Sequence, residues 1–156
     1  MTHSKAIIGV ISDTHGLLRP EVKKVFKGVD LILHAGDIGA PEVLEELKSW
    51  APVAAVRGNN DKGKWAGGIP ETEVVQVGSI YLYLLHDVKE LDLSPAAAGF
   101  QVVISGHSHK PSIYRRDGVL YVNPGSAGPR RFALPVTVAR LTVEESTVEG
   151  KLVSLS

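Results

Sequence analysis

Five times along this chain a short apolar run breaks off into a polar motif. Residues 5–11 run into Ser12-Asp13-Thr14-His15-Gly16, residues 30–34 into Ala35-Gly36-Asp37, and residues 52–56 into Arg57-Gly58-Asn59-Asn60-Asp61. Residues 80–86 close on Leu85-His86-Asp87, and residues 101–105 on Gly106-His107-Ser108-His109. Runs this short and rich in Val, Ile and Leu read as strands, the first of them buried on both faces. Ligands of α/β sheets bind outside the carboxyl ends of strands. A fold that aligns these ends therefore brings Asp, Asn and His side chains to one rim.

Between the early strands lie helical signals. Pro20 opens a stretch over 21–27 with Val22, Val25 and Phe26 at helical spacing and Gly28 at its end; Pro41 starts a second helix reaching about Trp50. The second half changes character. Residues 73–77 and 80–86 predict two strands joined at Gly78-Ser79, and a short helix is expected over 94–98. Residues 111–122 predict a hairpin turning at Asp117-Gly118, and residues 136–155 two long strands around a turn near 144–146. Early βαβ units followed by hairpins predict one mixed α/β domain with more than one sheet. The segment 62–70, rich in Gly, suggests mobility, and its Trp65 either stacks on a base or packs.

Composition narrows the chemistry. The 156 residues hold no cysteine, which removes disulfides, thiolate nucleophiles and zinc–thiolate sites together. A metal would need oxygen and nitrogen ligands. Seventeen Lys+Arg balance seventeen Asp+Glu, so nucleic acid is a disfavoured partner. No apolar run approaches bilayer-spanning length and no targeting signal stands at the start, so the expectation is a soluble cytoplasmic protein without a membrane partner. The three asparagines, Asn59, Asn60 and Asn123, and four of the six histidines fall in strand-end loops. Taken singly these residues are turn, cap or core residues; their concentration at strand ends favours a site. Imidazoles and carboxylates suit borderline ions such as zinc, manganese, iron or nickel. The spacing Asp13-x-His15, like His107-x-His109, would put alternate side chains of a leaving strand on one side. Gly16, Gly36, Gly58 and Gly106 would let the backbone turn and approach closely.

The series Asp13-x-His15, Gly36-Asp37, Gly58-Asn59, His86 and Gly106-His107-x-His109 resembles the calcineurin-like metallophosphoesterases. Asn123-Pro124-Gly125-Ser126 with Pro129-Arg130 resembles their small bacterial and archaeal phosphodiesterase branch. The resemblance runs from residue 7 to about 131. It implies a sandwich of two mixed β-sheets flanked by helices and a metal-dependent phosphodiesterase or phosphatase. It further implies two divalent transition-metal ions, manganese ahead of nickel, iron or zinc. Asp13, His15, Asp37 and His109 would hold one ion; Asp37, Asn59, His86 and His107 the other, with Asp37 as the bridge. Two such ions, two carboxylates and a bridging hydroxide leave about one net positive charge facing an anionic phosphate, and ions about 3.5–4 Å apart would clamp an in-line attack on phosphorus. Arg130 would bind the substrate phosphate with its forked donors, and its neighbour Arg131 reads as a surface charge.

Where relatives place His after the ligand Asn, this chain has Asn60. Asn is no general acid near neutral pH, so leaving groups of low pKa are favoured. Asp61 has an outer supporting role, a helix cap or a surface position to choose between, and Asp87 either orients His86, adds charge near the metals or faces solvent. His34 reads as a core or supporting residue, and His3 lies outside every motif. The competing reading is a non-catalytic protein-binding scaffold on the same fold, which would have lost ligands, whereas all seven ligand positions are filled here. A small phosphate ester is the expected partner. Pairing of the long C-terminal strands at a sheet edge would permit a homo-oligomer.

Overall fold

The apolar run at the N-terminus becomes strand β1 (Lys5–Ile11), a central strand buried toward its C-terminal end. The computed structural model describes residues 5–131 and 133–155, so His3 lies outside the described residues. After β1 follow α1 (Pro20–Val25), β2 (Leu31–His34), α2 (Pro41–Lys48) and β3 (Val53–Ala55). Then come β4 (Thr72–Val77), β5 (Ile80–Leu85), α3 (Pro95–Ala98), β6 (Val102–Ile104), β7 (Ser112–Arg116), β8 (Val119–Asn123), β9 (Thr137–Glu144) and β10 (Thr147–Ser154). Helices α1, α2 and α3 each have proline in the first turn, where the missing N–H costs nothing.

Among the described residues ten strands form two mixed five-stranded sheets, ordered β10-β9-β1-β2-β3 and β4-β5-β6-β8-β7. In the first, β1, β2 and β3 run parallel and β9 returns antiparallel to β1. In the second, β5, β6 and β8 run parallel, with β4 and β7 antiparallel at the edges. Two-residue turns close the hairpins. At Asp117-Gly118 both residues have positive φ, 52° and 78°, the mirror-image turn that matches strand twist.

The sheets face each other across a core of Ile8, Val10 and Leu33 on one side and Leu82, Ile104 and Val122 on the other. The outer face of the first sheet is covered by α1 and α2 through Val22, Phe26, Val43 and Leu47. The outer face of the second buries Tyr83, Leu85 and Val103 beneath the segment carrying Val88, Leu91 and Phe100. This is the expected sandwich of two mixed sheets flanked by helices. The helices stop earlier than their patterns suggest, at Val25 and Lys48, because Phe26 and Ser49 already serve as caps. Residues Lys64–Ala66 form a 3-10 turn, and Trp65 packs against the helix-side core. Its indole therefore belongs to packing. Among the described residues no helix is long and apolar enough to cross a membrane.

Candidate metal centre

The loops leaving β1, β2, β3, β5 and β6 meet at one rim, held there by the backbone. The β1 loop hydrogen-bonds along the β2 loop, with Asp13, His15 and Gly16 N–H donating to the carbonyls of Gly36, Asp37 and Ile38 at 3.0, 2.9 and 2.7 Å. Gly106 N–H donates to the His86 carbonyl at 2.9 Å, tying the β6 loop to the β5 loop. The Asp61 carboxylate accepts from the N–H groups of Ile38 (3.1 Å), Gly39 (2.9 Å) and Gly58 (3.0 Å), and so staples the β3 loop to the β2 loop. Asp61 is buried, which settles its role as support from beneath the rim. Asn123 braces the β6 loop from the other side, its amide donating to the Gly106 carbonyl at 3.0 Å and to Ser108 Oγ at 3.1 Å. The Ser126 hydroxyl donates to the Asp13 carbonyl at 3.1 Å, and Arg19 donates to the Gly128 carbonyl.

The alternation expected of Asp-x-His and His-x-His is not what aims these side chains. Strand β1 stops at Ile11, and Asp13, His15, Asp37, His107 and His109 all take positive φ, between 46° and 70°. That region is costly for residues with a Cβ, and it concentrates at functional sites where surrounding contacts over-determine the backbone. The tight loops turn so sharply that strand geometry has already ended.

Asp13, His15 and His109 each offer a donor atom, all within 4.8 Å of one another; Asp37, His86 and His107 form a second such group. Asp13 is fully buried. Its Oδ2 accepts from Ser12 Oγ (2.7 Å) and from His107 N–H (3.1 Å). Among the described residues its Oδ1 has no hydrogen-bond partner, yet it lies 3.4 Å from His109 Nε2 and 3.9 Å from Nε2 of both His15 and His86. His15 Nε2 and His109 Nδ1 are likewise buried without a hydrogen-bond partner among the described residues. Asp37 sits between the groups: its Oδ2 is 3.3 Å from His86 Nε2 and 3.8 Å from His15 Nε2. Asn60 holds this carboxylate through both oxygens, backbone N–H to Oδ1 at 3.0 Å and side-chain amide to Oδ2 at 3.1 Å.

The electrostatics follow from crowding. Burial raises the Asp13 carboxyl, against the Ser12 hydrogen bond and the neighbouring histidines. Burial would raise Asp37 too, but hydrogen bonds from His86 and Asn60 hold it well below the usual carboxylate range. Burial by itself would lower His86; its hydrogen bonds to Asp37 and the Ala35 carbonyl carry it up to about 9. His86 Nδ1–H donates to that carbonyl at 2.7 Å, which leaves Nε2 facing the cluster. Burial pushes His109 down, helped by the positive charge of Arg131. Buried His34 is held at about 3; its Nδ1 accepts from Gly36 N–H at 3.1 Å and its Nε2 meets Thr14 Oγ1 at 3.0 Å. It is a neutral strut beneath the β2 loop.

An unpartnered buried carboxylate oxygen costs on the order of 1–3 kcal/mol or more, and Asp13 Oδ1 lies 3.4 Å from His109 Nε2 and 3.9 Å from His15 Nε2. A cation among these atoms would answer the carboxylate oxygen and His15 Nε2 together. Carboxylate oxygens and imidazole nitrogens are the donor set of borderline divalent ions. The residues present therefore fit a metal.

Asn59 is exposed and lines a cavity of about 480 Å³ beside the centre, together with His86, Tyr83, Asp87, Glu90 and Asp92. Arg130 is exposed on the loop that packs against residues 13–14, where a Cβ on Gly128 would come within 2.5 Å of the Asp13 carbonyl oxygen. Arg131, read from sequence as a surface charge, is the arginine whose field reaches His109. Asp87 faces His107, with Oδ2 3.8 Å from Nε2. Thr14 and Ser126 have no signal in the sequence beyond membership of the motifs, since their partners His34 and Asp13 lie far along the chain, while Ser12 bonds its own neighbour Asp13.

Comparison with known proteins agrees with this geometry. Residues 7–146 match the model of the calcineurin-like phosphoesterase superfamily domain. A probable metallophosphoesterase of Methanothermobacter thermautotrophicus is 37% identical, over 92% of this chain and 90% of that protein. A phosphodiesterase of Methanocaldococcus jannaschii is 28% identical, over 76% of this chain and 82% of that protein. The crystal structure of Chaetomium thermophilum Vps29 superposes with a TM-score of 0.78 at 21% identity, covering 96% of this chain and 97% of that one, a likeness of fold. With a family model spanning most of its length and a donor cluster at the end of its parallel strands, the chain belongs to the calcineurin-like phosphoesterase superfamily.

Proposed function

We propose that this protein is a dinuclear metal-dependent phosphodiesterase of a single domain, acting on a small phosphate ester. The observation that carries the reading is Asp13 Oδ1: a buried, unpartnered carboxylate oxygen with three imidazole nitrogens within 3.9 Å. Asp13, His15, Asp37 and His109 would hold one ion; Asp37, Asn59, His86 and His107 would hold the other, manganese being the favoured metal. When bound, such ions supply Lewis-acid stabilisation of the phosphoryl group and a nucleophile available near neutral pH.

The chain's own residues do the positioning. Ser12 and His107 N–H occupy Asp13 Oδ2 and so leave Oδ1 free to ligate. The Ala35 carbonyl fixes the His86 tautomer and thereby presents Nε2. Asn60 fixes the rotamer of Asp37, a role its amide performs without donating a proton to a leaving group. Activated diesters are therefore the better substrates. Arg130 would engage the phosphate oxygens. The balanced net charge argues against a nucleic-acid substrate.

The test is hydrolysis of bis-p-nitrophenyl phosphate by metal-stripped protein after addition of manganese, nickel, zinc or magnesium separately. Activity restored by a transition metal and absent in His107→Ala is expected. Two ions bound per chain without turnover of any activated ester would move the reading to a binding scaffold.

Ion uptake should also depend on pH with a defined sign. His86 carries a proton below about 9 in the metal-free protein, and a ligating imidazole must be neutral at Nε2. Ligation through His86 Nε2 would require release of that proton to solvent. Apparent affinity is expected to fall about tenfold per pH unit below pH 9, roughly 100-fold from pH 8 to pH 6. Calorimetry in buffers of different ionisation enthalpy reads the released proton directly; affinity flat across this range would contradict the assignment of His86.

A further inference from the structure

Among the six clustered donor residues His107 is the one that packing does not hold. Its side chain is 42% exposed, and its ring meets that of His86 in a T-shaped pair, with centroids 5.1 Å apart at 79°. A half-exposed imidazole can present either nitrogen, and which one faces an ion is set by what the other one meets. His107 Nδ1 lies on the cluster side, 3.3 Å from His86 Nε2. Its Nε2 points away from the cluster, toward Asp87 Oδ2 at 3.8 Å.

The Asp87 carboxylate is itself pinned. Its Oδ1 accepts from Lys89 N–H at 3.1 Å and caps the 3-10 turn Val88–Glu90, so Oδ2 is the oxygen left to face His107. The backbone of His107 is tethered independently, by its N–H to Asp13 Oδ2. With main chain and carboxylate both fixed, the ring has one arrangement that satisfies both ends. Nδ1 is unprotonated toward the cluster, and Nε2–H points at a negative oxygen. The separation is ion-pair range; a movement of about 1 Å in either side chain makes it a hydrogen bond.

We infer that Asp87 is a positioning residue for the metal centre, selecting the His107 tautomer that ligates through Nδ1 and strengthening that nitrogen as a donor. This rests on the dinuclear reading above. On this reading Asp87 is not itself a ligand and acts through His107. It therefore governs one ion, the one shared with Asp37 and His86, and leaves the group of Asp13, His15 and His109 unaffected.

The test uses the full chain and zinc as the probe. Zinc is titrated into ¹⁵N-labelled wild type, Asp87→Asn and Asp87→Glu, with the ring signals of His107 and His109 reporting the two groups separately. Asn at this position keeps an oxygen for Lys89 N–H, so the turn survives, while the atom facing His107 changes from a negative acceptor to an amide N–H donor. Asp87→Asn should weaken the zinc reported by His107 by about 10-fold or more, leave the zinc reported by His109 unchanged, and move the His107 Nε2–H resonance upfield. Asp87→Glu should recover most of the affinity. Unchanged affinity at His107 in Asp87→Asn overturns the inference, and so does an equal loss at both groups, which marks a structural role. Should wild type bind no zinc, the dinuclear reading fails and this inference with it; wild type binding two ions beside an indistinguishable Asn variant removes only the role of Asp87.

Discussion

Asp37→Ala is expected to abolish metal-dependent hydrolysis of bis-p-nitrophenyl phosphate, by at least about 10³-fold, and to lower bound metal to at most one ion per chain. Asp37 is the carboxylate whose Oδ2 faces both donor groups, 3.3 Å from His86 and 3.8 Å from His15. Its removal takes a ligand from each group at once. The same carboxylate holds the high proton affinity of His86, so the pH dependence of metal uptake should shrink in the variant. The fold should survive, because the β2 and β3 loops stay stapled through Asp61. Metal content by mass spectrometry, read beside turnover, decides the matter. Activity within about tenfold of wild type would remove Asp37 from the reacting centre.

Gly106→Ala is the second change with a large expected effect, and it acts by sterics alone. A Cβ at Gly106 would lie 2.0 Å from Ser12 Oγ and 2.7 Å from Asp13 Oδ2. Such contacts are far inside van der Waals range, and Ser12 is fully buried, with little room to withdraw. Either the hydroxyl leaves Asp13 or the β6 loop lifts, carrying His107 and His109 with it. The expected cost is about 1–3 kcal/mol of stability, with loss of ion binding at the Asp13 group. Gly68→Ala supplies the control, because a Cβ there meets nothing within 4 Å. Urea denaturation of the metal-free proteins should separate the two. Equal stability of both variants would show that the rim yields more easily than its packing implies.

The two variants mark the boundary between what can be read along the chain and what cannot. Strand positions were legible because burial writes itself locally as short runs of Val, Ile and Leu. The hairpin at Asp117-Gly118 was legible because a two-residue turn with positive φ leaves few residue choices. The five strand-end motifs, and the resemblance they carry, needed only order and spacing. Helix ends and the 3-10 turn at Lys64–Ala66 were less so, since capping and the packing of Trp65 depend on neighbours distant in sequence.

The sequence by itself determined the architecture and the kind of chemistry: strand ends that gather Asp, Asn and His, no cysteine, and the motif order of a phosphoesterase. Only the tertiary structure decided which atom of each residue is free to act. Asp13 Oδ1 is available because Ser12 and His107, one and 94 residues away, occupy Oδ2. Asp61 supports while Asp87 turns to His107, although both are loop aspartates of similar local context. Hydrophobic pattern and turn preference are properties of neighbouring residues and survive in a linear reading. Hydrogen-bond occupancy, desolvation and the left-handed backbone of the ligand loops arise from contacts between segments that only folding brings together.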